Sequence, residues 1–162
     1  MECIDKFILS YEKEQKRRYI QSFGFETKLS FQQEVLVQGI AVDYQTVELC
    51  AIAVNLGHTN SKVFDSVWRQ ECSVCSGVGI CNLPGGYVPD IRKFECKTCC
   101  GTGYIEPYDL MITFCRHKDK IWNVSLYSTK EHINCEAIAK SFGGNGHKEA
   151  AEFQCKELPF EY

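Results

Sequence analysis

Two cysteine motifs in the middle of the chain could each present a pair of thiolates to the same metal ion. The segments "CSVCSGVG" and "CKTCCGTG" share the pattern Cys-x-x-Cys-x-Gly-x-Gly. Two such knuckles that face each other supply four sulfur ligands, which is the tetrahedral set that zinc prefers in structural sites. The motifs therefore predict one structural Zn²⁺ ion, and because four thiolates leave no open coordination position, they do not predict metal catalysis there. The predicted ligands are Cys72, Cys75, Cys96 and Cys99.

The residues around these ligands predict a small module of their own. Two glycines follow each knuckle and let the backbone turn sharply behind the sulfurs. Twenty residues separate the two knuckles, and they include the turn-forming sequence "LPGGYVP". We therefore expect a zinc hairpin over 70–106 whose two ends emerge side by side, because such a unit can interrupt a host loop without disturbing the core of its host. Cys81 and Cys100 lie near the ligands in sequence and are expected to be bystanders.

A second candidate site is the glycine-rich stretch "SFGGNGHKEAAEF" over 141–153. One interpretation is a helix end followed by a turn, because glycine commonly ends helices. The other is a cradle for a phosphate, because successive glycines expose backbone N–H groups and an alanine-rich helix predicted after them would add partial positive charge. An imidazole and an ammonium group follow the glycines and could also contact an anion. The candidate ligand-binding residues are Gly143, Gly144, Asn145, Gly146, His147 and Lys148.

The N-terminal half of the chain predicts two helices and two strands that would support these sites. An amphipathic helix is expected over 1–24, either packed on its own domain or forming a dimer contact. The apolar runs "EVLVQGIAVDY" and "VELCAIAVN" are separated by a polar "QT" and predict adjacent strands. A further helix is expected in "TNSKVFDSVWRQ", which precedes the cysteine motifs.

Beyond the cysteine motifs, the pattern predicts a hairpin, a helix and a final strand. The hairpin joins "YDLMITFCRH" to "KIWNVSLYS" through a short polar connection. The helix "NCEAIAKSF" has Asn134 as its N-cap and ends at Gly143, and a short helix and the strand in "FQCKELPFEY" follow the glycine loop. Together these elements predict an α/β domain with a mixed sheet over 25–69 and 107–162, interrupted by the zinc module over 70–106.

The ordered set of strand, helix, glycine loop and final strand over 121–153 resembles the DHH-associated C-terminal domain of DHH-family phosphoesterases. That family carries a serine-bearing strand, a helix, a Gly-Gly-Gly-Gly-His loop and an Ala-Ala-Gly-Phe continuation, which correspond here to "WNVSLYS", "EAIAKSF" and "GGNGHKEAAEF". The resemblance implies a clamp for an oligonucleotide end or a cyclic dinucleotide, and it adds Ser125 and Ser128 to the ligand-binding residues. The paired cysteine motifs resemble two of the four repeats of DnaJ-type chaperones, but no J-domain signature accompanies them.

Three positions depart from the pattern of the DHH-associated domain. Asn145 replaces a glycine, which asparagine can do because it enters left-handed conformations readily. Tyr127 stands where the family strand often carries an arginine, so one phosphate-pairing charge is replaced by a ring that could stack on a base. Glu152 replaces the glycine of the Ala-Ala-Gly-Phe sequence, and its carboxylate would repel an anion unless it turns outward. These departures imply a different affinity or a different type of ligand.

The catalytic residues of DHH enzymes are missing from this sequence. Those enzymes use aspartates and paired histidines to hold two metal ions, whereas the four histidines here are not adjacent to one another and no Asp-x-Asp occurs. We therefore expect a domain that binds a nucleotide, a cyclic dinucleotide or a short nucleic acid without hydrolysing it. The alternatives are a substrate-binding subunit for a separate DHH-type phosphoesterase, a zinc-dependent protein-interaction module, and a hydrolase with an unrecognised metal site. A homodimer is a further open alternative.

Composition and charge predict a cytoplasmic protein. Hydrophobic residues make up 44% of the 162 residues, and the formal net charge is −3. A negatively charged protein is poorly suited to binding along a nucleic-acid backbone, so any such contact should be local. Eleven cysteines without a disulfide framework fit a reducing compartment. No apolar run has the length of a membrane span, so we expect no contact with a membrane.

Overall fold

The structure is a computed structural model that describes residues 11, 14–15, 18–20, 23–37, 41–56, 64, 69–82 and 93–162. The chain divides into two compact units, which are Met1–Ser66 with Tyr108–Tyr162, and Val67–Pro107. The smaller unit contains the cysteine motifs, and the larger unit contains the glycine loop.

The larger unit is built on a mixed sheet. The strands of the whole chain are β1 (Phe25–Val37), β2 (Ala41–Asn55), β3 (Gln70–Glu71), β4 (Ile80–Asn82), β5 (Lys93–Glu95), β6 (Tyr104–Ile105), β7 (Leu110–Arg116), β8 (Trp122–Tyr127), β9 (Asn145–Gly146) and β10 (Ala150–Cys155), and helix α1 is Cys135–Ser141. Six strands of the larger unit form one sheet in the order β1-β2-β7-β8-β10-β9. Neighbours are antiparallel except β2 and β7, which are parallel. The mixed sheet confirms the predicted α/β class at this coarse level.

The first two strands form one long hairpin, and here the predicted strand boundaries are wrong. The predicted break at Gln45 and Thr46 lies inside β2, where these residues pair with Gln33 and Gln32 of β1. The two strands separate instead at 38–40, which lie outside the described residues. All four glutamine and threonine side chains are exposed. The polar pair therefore marks a solvent-exposed part of a hairpin rather than a turn, because an antiparallel ribbon tolerates polar side chains wherever it faces water.

The hairpin predicted after the cysteine motifs is confirmed as β7 and β8. The strands pair over 111–116 and 122–127, and at the turn the N–H of His117 donates to the carbonyl of Ile121 at 2.8 Å. Lys120 adopts a φ of 66° there, in the left-handed region that tight turns often use. The residues of β7 from Leu110 to Phe114 are all buried. Both faces of this central strand are therefore covered.

The helix predicted before the glycine loop is confirmed as α1. The side-chain oxygen of Asn134 accepts the N–H of Ala137 at 3.1 Å, which satisfies one of the free amides of the first turn. Gly143 follows the helix with a φ of 78°, a conformation that glycine adopts at little cost. The helix buries Ile138 and Ala139 on the sheet. The core that it joins includes Leu29, Leu110, Ile112, Phe114, Val124, Leu126 and Phe153.

The short helix predicted after the glycine loop is wrong, because Ala150–Cys155 is strand β10. Ala151 lies opposite Leu126 of β8 on one side and Gly146 of β9 on the other. Alanine favours helices locally, but Ala151 and Phe153 are buried while Glu152 between them is exposed. This alternation is the period of a half-buried strand. Pairing on both edges of β10 therefore overrides the helix propensity of "KEAAE".

Two other predicted helices lie largely outside the described residues. Within the N-terminal helix predicted over 1–24, the seven described residues from 11 to 23 have helical backbone, and Ile20 is buried. Of the helix predicted in "TNSKVFDSVWRQ", only Phe64 is described before Arg69, and Phe64 is buried. A search for membrane spans, restricted to the described residues, finds no helix with enough length and hydrophobicity to cross a bilayer.

Asp109 connects three segments of the larger unit just before β7. Its N–H donates to the carbonyl of Cys50 at 2.8 Å, and its carboxylate accepts the N–H of Cys50 at 3.0 Å. Lys130 Nζ lies 2.9 Å from the same carboxylate, and the hydroxyl of Ser128 donates to the Asp109 carbonyl at 2.7 Å. Burial opposes ionisation of this carboxyl, but the hydrogen bonds from Lys130 and Cys50 outweigh burial and hold the pKa of Asp109 below its usual value.

Asp109→Asn should lower the free energy of unfolding by about 1–2 kcal/mol at neutral pH, because it removes a charge-assisted hydrogen bond from a partly buried site. The folded-state pKa of Asp109 is depressed, so its contribution is present above the unfolded-state pKa of about 4 and is lost as the pH falls through the folded-state value. The difference between wild type and variant in urea unfolding should therefore shrink below about pH 4. Asp119→Asn, in the exposed β7–β8 turn, is the control, and an equal loss in both variants would contradict this role for Asp109.

Candidate functional site

The smaller unit brings the four predicted metal ligands together. Their sulfur atoms lie within 4.8 Å of one another, and all four cysteines are buried. The sulfurs of Cys72 and Cys96 are 3.8 Å apart, and those of Cys75 and Cys99 are 3.6 Å apart. A tetrahedral ion with metal–sulfur bonds of about 2.3 Å requires sulfur–sulfur distances of about 3.8 Å. The donor set therefore fits a four-coordinate metal ion.

The two knuckles close on each other through a repeated set of hydrogen bonds. The first cysteine of each motif donates its N–H to the carbonyl of the last glycine of the other motif. These bonds run from Cys72 to Gly103 and from Cys96 to Gly79, both at 2.9 Å. The same two glycines, Gly79 and Gly103, direct their own N–H groups at the second cysteine sulfur of their own knuckle, at 3.3 Å in both cases. Amides that donate to thiolate ligands stabilise the ionised sulfur and orient it toward a metal. The knuckles thus form a preorganised pair.

Glycine is required where the two knuckles cross. Gly79 and Gly103 have φ values of 77° and 81°, and a Cβ on either would overlap a backbone carbonyl of the opposite knuckle. Short strands frame the crossing: β3 pairs with β6, and β4 pairs with β5. Because β3 opens the cysteine segment and β6 closes it, the two ends of the segment lie side by side.

The cysteine sulfurs differ in how readily they ionise. Burial raises the pKa of Cys75 to about 12, whereas the backbone N–H groups of Cys99 and Thr98 lower the pKa of Cys96 to about 6. Because a bound cation requires deprotonated thiolates, metal binding must displace protons from this cluster. Metal affinity should therefore weaken as the pH falls.

Two other cysteines lie in the smaller unit, and neither belongs to the four-sulfur group. Cys81 is half-buried against the cluster, and a hydrogen bond with Cys96 raises its pKa. Cys100 is exposed, and its thiol donates to the carbonyl of Lys97. The geometry thus separates four ligands from two neighbours.

The cluster should bind one divalent metal ion per chain, and Cys99→Ser should abolish stoichiometric binding because a hydroxyl is a much poorer ligand than a thiolate. Cys100→Ser changes the adjacent, exposed thiol and should leave metal content unchanged. Elemental analysis of the purified proteins measures the content, and the charge-transfer absorption of a cobalt-substituted sample provides an independent readout of thiolate ligation. Wild-type protein without metal affinity, or equal loss in both variants, would contradict the assignment.

In the larger unit, the glycine loop and the sheet line an open cavity of about 670 Å³. The loop Gly143–Gly146 forms one wall, and residues of β8 and β10 form the other. The cavity therefore brings together five of the predicted ligand-binding residues. These are Ser125, Gly143, Gly144, Asn145 and Gly146. Tyr127 and Glu152, two of the positions that depart from the family pattern, also line it.

The other three predicted ligand-binding residues do not line this cavity. His147 and Lys148 are exposed in the turn that joins β9 to β10. Ser128 is buried, and its hydroxyl is committed to hydrogen bonds with the Asp109 carbonyl and the Lys130 N–H. The geometry thus assigns Ser128 a structural role and places His147 and Lys148 beside the cavity rather than inside it.

The protein itself occupies most of the loop amides that a phosphate cradle would need. The N–H groups of Gly143, Gly144 and His147 donate to backbone carbonyls at 3.0, 2.8 and 2.7 Å. The predicted helix after the loop is absent, since β10 begins at Ala150, and with it goes the partial positive charge that the helix would have added. A cradle built from consecutive free amides is therefore the wrong description of this loop.

Gly146 is the exception among the loop amides. His147 and Ala150 exchange two backbone hydrogen bonds, at 2.7 and 3.2 Å. In an antiparallel ladder, hydrogen-bonded and non-hydrogen-bonded pairs alternate, so the next pair, Gly146 with Ala151, is not hydrogen-bonded. The N–H of Gly146 therefore points away from β10 and is directed toward the open side of β9.

The lining of the cavity mixes polar and apolar atoms and carries negative rather than positive charge. Its polar side chains are Asn123, Ser125, Tyr127, Asn145, Glu152 and Gln154, and the lining contains no lysine, arginine or histidine. The side-chain oxygen of Asn123 is buried and has no hydrogen-bond partner among the described residues, while its nitrogen lies 2.8 Å from His117 Nε2. The Glu152 carboxylate and the Ser125 hydroxyl can accept hydrogen bonds from a neutral or cationic part of a ligand, whereas the buried Asn123 oxygen is out of reach.

Sequence reasoning missed Asn123 and Gln154, although a signal for both was available. Asn123 and Ser125 lie two residues apart on β8, and Glu152 and Gln154 lie two residues apart on β10. Side chains two residues apart on a strand share one face. The helix predicted for "KEAAEF" hides this alternation, because a helix places residues 152 and 154 on different faces.

Gly144 is required for the packing of the loop on β10. A Cβ at this position would overlap the carbonyl of Glu152, whereas a Cβ on Gly143 would meet nothing within 4 Å. Gly144→Ala should therefore lower the free energy of unfolding by about 1–3 kcal/mol. Gly143→Asn is the matched control and should lower the free energy of unfolding by less, because asparagine tolerates the left-handed φ of 78°. Thermal and urea unfolding measure both, and a larger loss for Gly143→Asn would contradict this explanation.

No protein-family model matches the chain, and no curated protein matches it with significant similarity. The relation to DHH-associated domains is therefore carried by the order of motifs over 121–153 and stays a prediction. The geometry defines a cluster of four cysteines that could hold a metal ion in one unit, and a cavity beside a glycine loop in the other.

Proposed function

We propose that this chain is a domain of the DHH-associated type that holds a nucleotide, a cyclic dinucleotide or the end of a short nucleic acid without hydrolysing it. The observation that carries the proposal is that Ser125 and the loop Gly143–Gly146, which the resemblance assigns to one ligand site, line one cavity. The cavity volume of about 670 Å³ is appropriate, because small-molecule sites span about 300–1,000 Å³.

The charges around the cavity suggest how such a ligand would lie. Glu152 disfavours a phosphate in the cavity, but its carboxylate and the hydroxyl of Ser125 can accept hydrogen bonds from the N–H or O–H groups of a base or a ribose. His147 and Lys148 occupy the turn directly after Gly146, which lines the cavity, and can carry positive charge there. We therefore place the nucleoside in the cavity and the phosphate at the β9–β10 turn.

We assign zinc to the cysteine cluster and a structural role to the ion. Four thiolates with no oxygen or nitrogen ligand favour zinc, and a closed set of four ligands leaves no position for a substrate. One ion with four ionised sulfurs changes the charge by about −2 and makes broad electrostatic binding of nucleic acid still less favourable. Reduced cysteines agree with a cytoplasmic location.

A second candidate function is an interaction role for the smaller unit. Several large apolar side chains are exposed on it, namely Val74, Val78, Ile80, Phe94 and Tyr104. Exposed apolar side chains on a small unit are typical of surfaces that contact another protein. In this alternative, the chain would supply the ligand cavity to a separate DHH-type phosphoesterase. Full ligand affinity in the isolated protein would argue for independent action.

Titration of the metal-loaded protein with cyclic dinucleotides and with short oligonucleotides should give one saturable site per chain. Ser125→Ala should weaken binding about 5-fold, because it removes one hydrogen-bonding group from the cavity. His147→Ala should lower the affinity for phosphorylated ligands only, and the matched nucleosides should bind with unchanged affinity. Thr129→Ala changes an exposed hydroxyl just beyond β8 and is the control. Isothermal titration calorimetry measures all four proteins.

The proposed site would be rejected if no saturable binding is found, or if Ser125→Ala leaves the affinity unchanged. Incubation of the same ligands with the protein and Mn²⁺, followed by chromatography, separates binding from catalysis. We expect no turnover, and product formation that scales with protein concentration would show a hydrolase instead.

A further inference from the structure

The long β1–β2 hairpin leaves one side of β1 at the edge of the sheet, and we propose that this edge pairs with the same edge of a second copy of the chain. The surface, which we call the β1 edge, consists of the backbone groups that face away from β2. They belong to Glu26, Lys28, Ser30, Gln32 and Glu34. The inference is independent of the proposed ligand.

Hydrogen bonds of Cys50 establish which backbone groups form the β1 edge. Both the N–H and the carbonyl of Cys50 bond to Asp109, at 3.0 and 2.8 Å, on the side of β2 away from β1. Cys50 lies opposite Lys28, so this pair of β1 and β2 is not hydrogen-bonded. The N–H and carbonyl of Lys28 must therefore point outward, and by alternation so do those of every second residue of β1.

The β1 edge is long and open in the part of the chain that the structure describes. β1 has 13 residues, and β2 is the sole described strand paired with it. The side chains of the even-numbered residues from 26 to 34 are all exposed. An extended edge of this length offers a row of free donors and acceptors to any strand that can match it.

Charge complementarity favours a second β1 as that strand. In an antiparallel pair centred on Phe31, Lys28 of each copy lies opposite Glu34 of the other, so two ion pairs form across the two-fold axis. The outward-facing residues lie opposite each other in this register, which is what hydrogen bonding requires. Phe31 is half-buried against the core, and it would meet its own copy at the axis as an aromatic pair.

Neighbouring registers are less favourable. Moving the centre to Ser30 brings Glu26 opposite Glu34, which places like charges face to face. Moving it to Gln32 brings Lys28 opposite position 36, which carries no charge. Among the registers that pair more than half of the 13 residues of β1, the charges are therefore self-complementary in one, as a symmetric dimer requires.

Sedimentation velocity over a wide concentration range tests the dimer, with charge reversals as variants. Lys28→Glu and Glu34→Lys each place like charges opposite each other twice, so each should raise the dimer dissociation constant about tenfold or more. The double variant restores opposite charges and should restore the dimer. Ser30→Pro removes an outward N–H without removing a β1–β2 hydrogen bond, and it should abolish the dimer while the fold is kept.

Glu48→Lys is the matched control, because Glu48 bonds Lys28 within the chain at 2.6 Å but does not belong to the β1 edge. It removes the same intrachain ion pair as Lys28→Glu and should leave the dimer intact. Circular dichroism checks that every variant is folded. A wild type that stays monomeric at all concentrations, or a dimer that persists in both single reversals, would overturn the proposal.

Discussion

The parallel pairing of β2 with β7 is the constraint on which the architecture of this protein depends. Parallel neighbours cannot be joined by a tight turn, so the chain must leave the sheet after Asn55 and return before Leu110. The whole cysteine-rich unit lies within this connection. Because its first and last strands, β3 and β6, pair with each other, the two ends of the unit lie side by side. Asp109 then holds the returning chain on β2 through Cys50.

The four cysteines form the buried cluster of the smaller unit, whereas the larger unit has an extended apolar core. Among its described residues, the buried core consists of the four cysteines, with Cys81 and Ile105 packed against them. A domain of roughly 40 residues rarely buries enough apolar surface to fold alone, and metal ions commonly supply the missing stability. The exposed apolar residues of this unit are thus free to form a surface, because its fold does not need them in a core.

The glycine loop forms part of the cavity wall, but it offers few free N–H groups to an anion. Gly144 allows the loop to lie against the backbone of β10, and most loop amides satisfy carbonyls of α1 and the β9–β10 turn. What remains for a ligand are side chains on alternating positions of β8 and β10 and the outward N–H of Gly146. Tyr127 and Glu152 also line this cavity, so their side chains would contact any molecule that occupies it.

Several features follow from contacts within a few residues, and the sequence alone determined them. Asn134 caps α1, a polar turn joins β7 to β8, and the repeated Cys-x-x-Cys-x-Gly-x-Gly motif identifies the four sulfurs that meet. Each depends on local hydrogen bonds or on a repeat visible in the chain.

Tertiary structure decided the features that depend on distant partners. β10 is a strand because β8 and β9 pair with both of its edges, although "KEAAE" alone favours a helix. β2 runs through Gln45 and Thr46 because β1 lies opposite them. The loop amides are occupied for the same reason: an N–H group donates to the carbonyl that folding brings near it, and that carbonyl is chosen by the packing of α1 and β10 rather than by the neighbouring sequence.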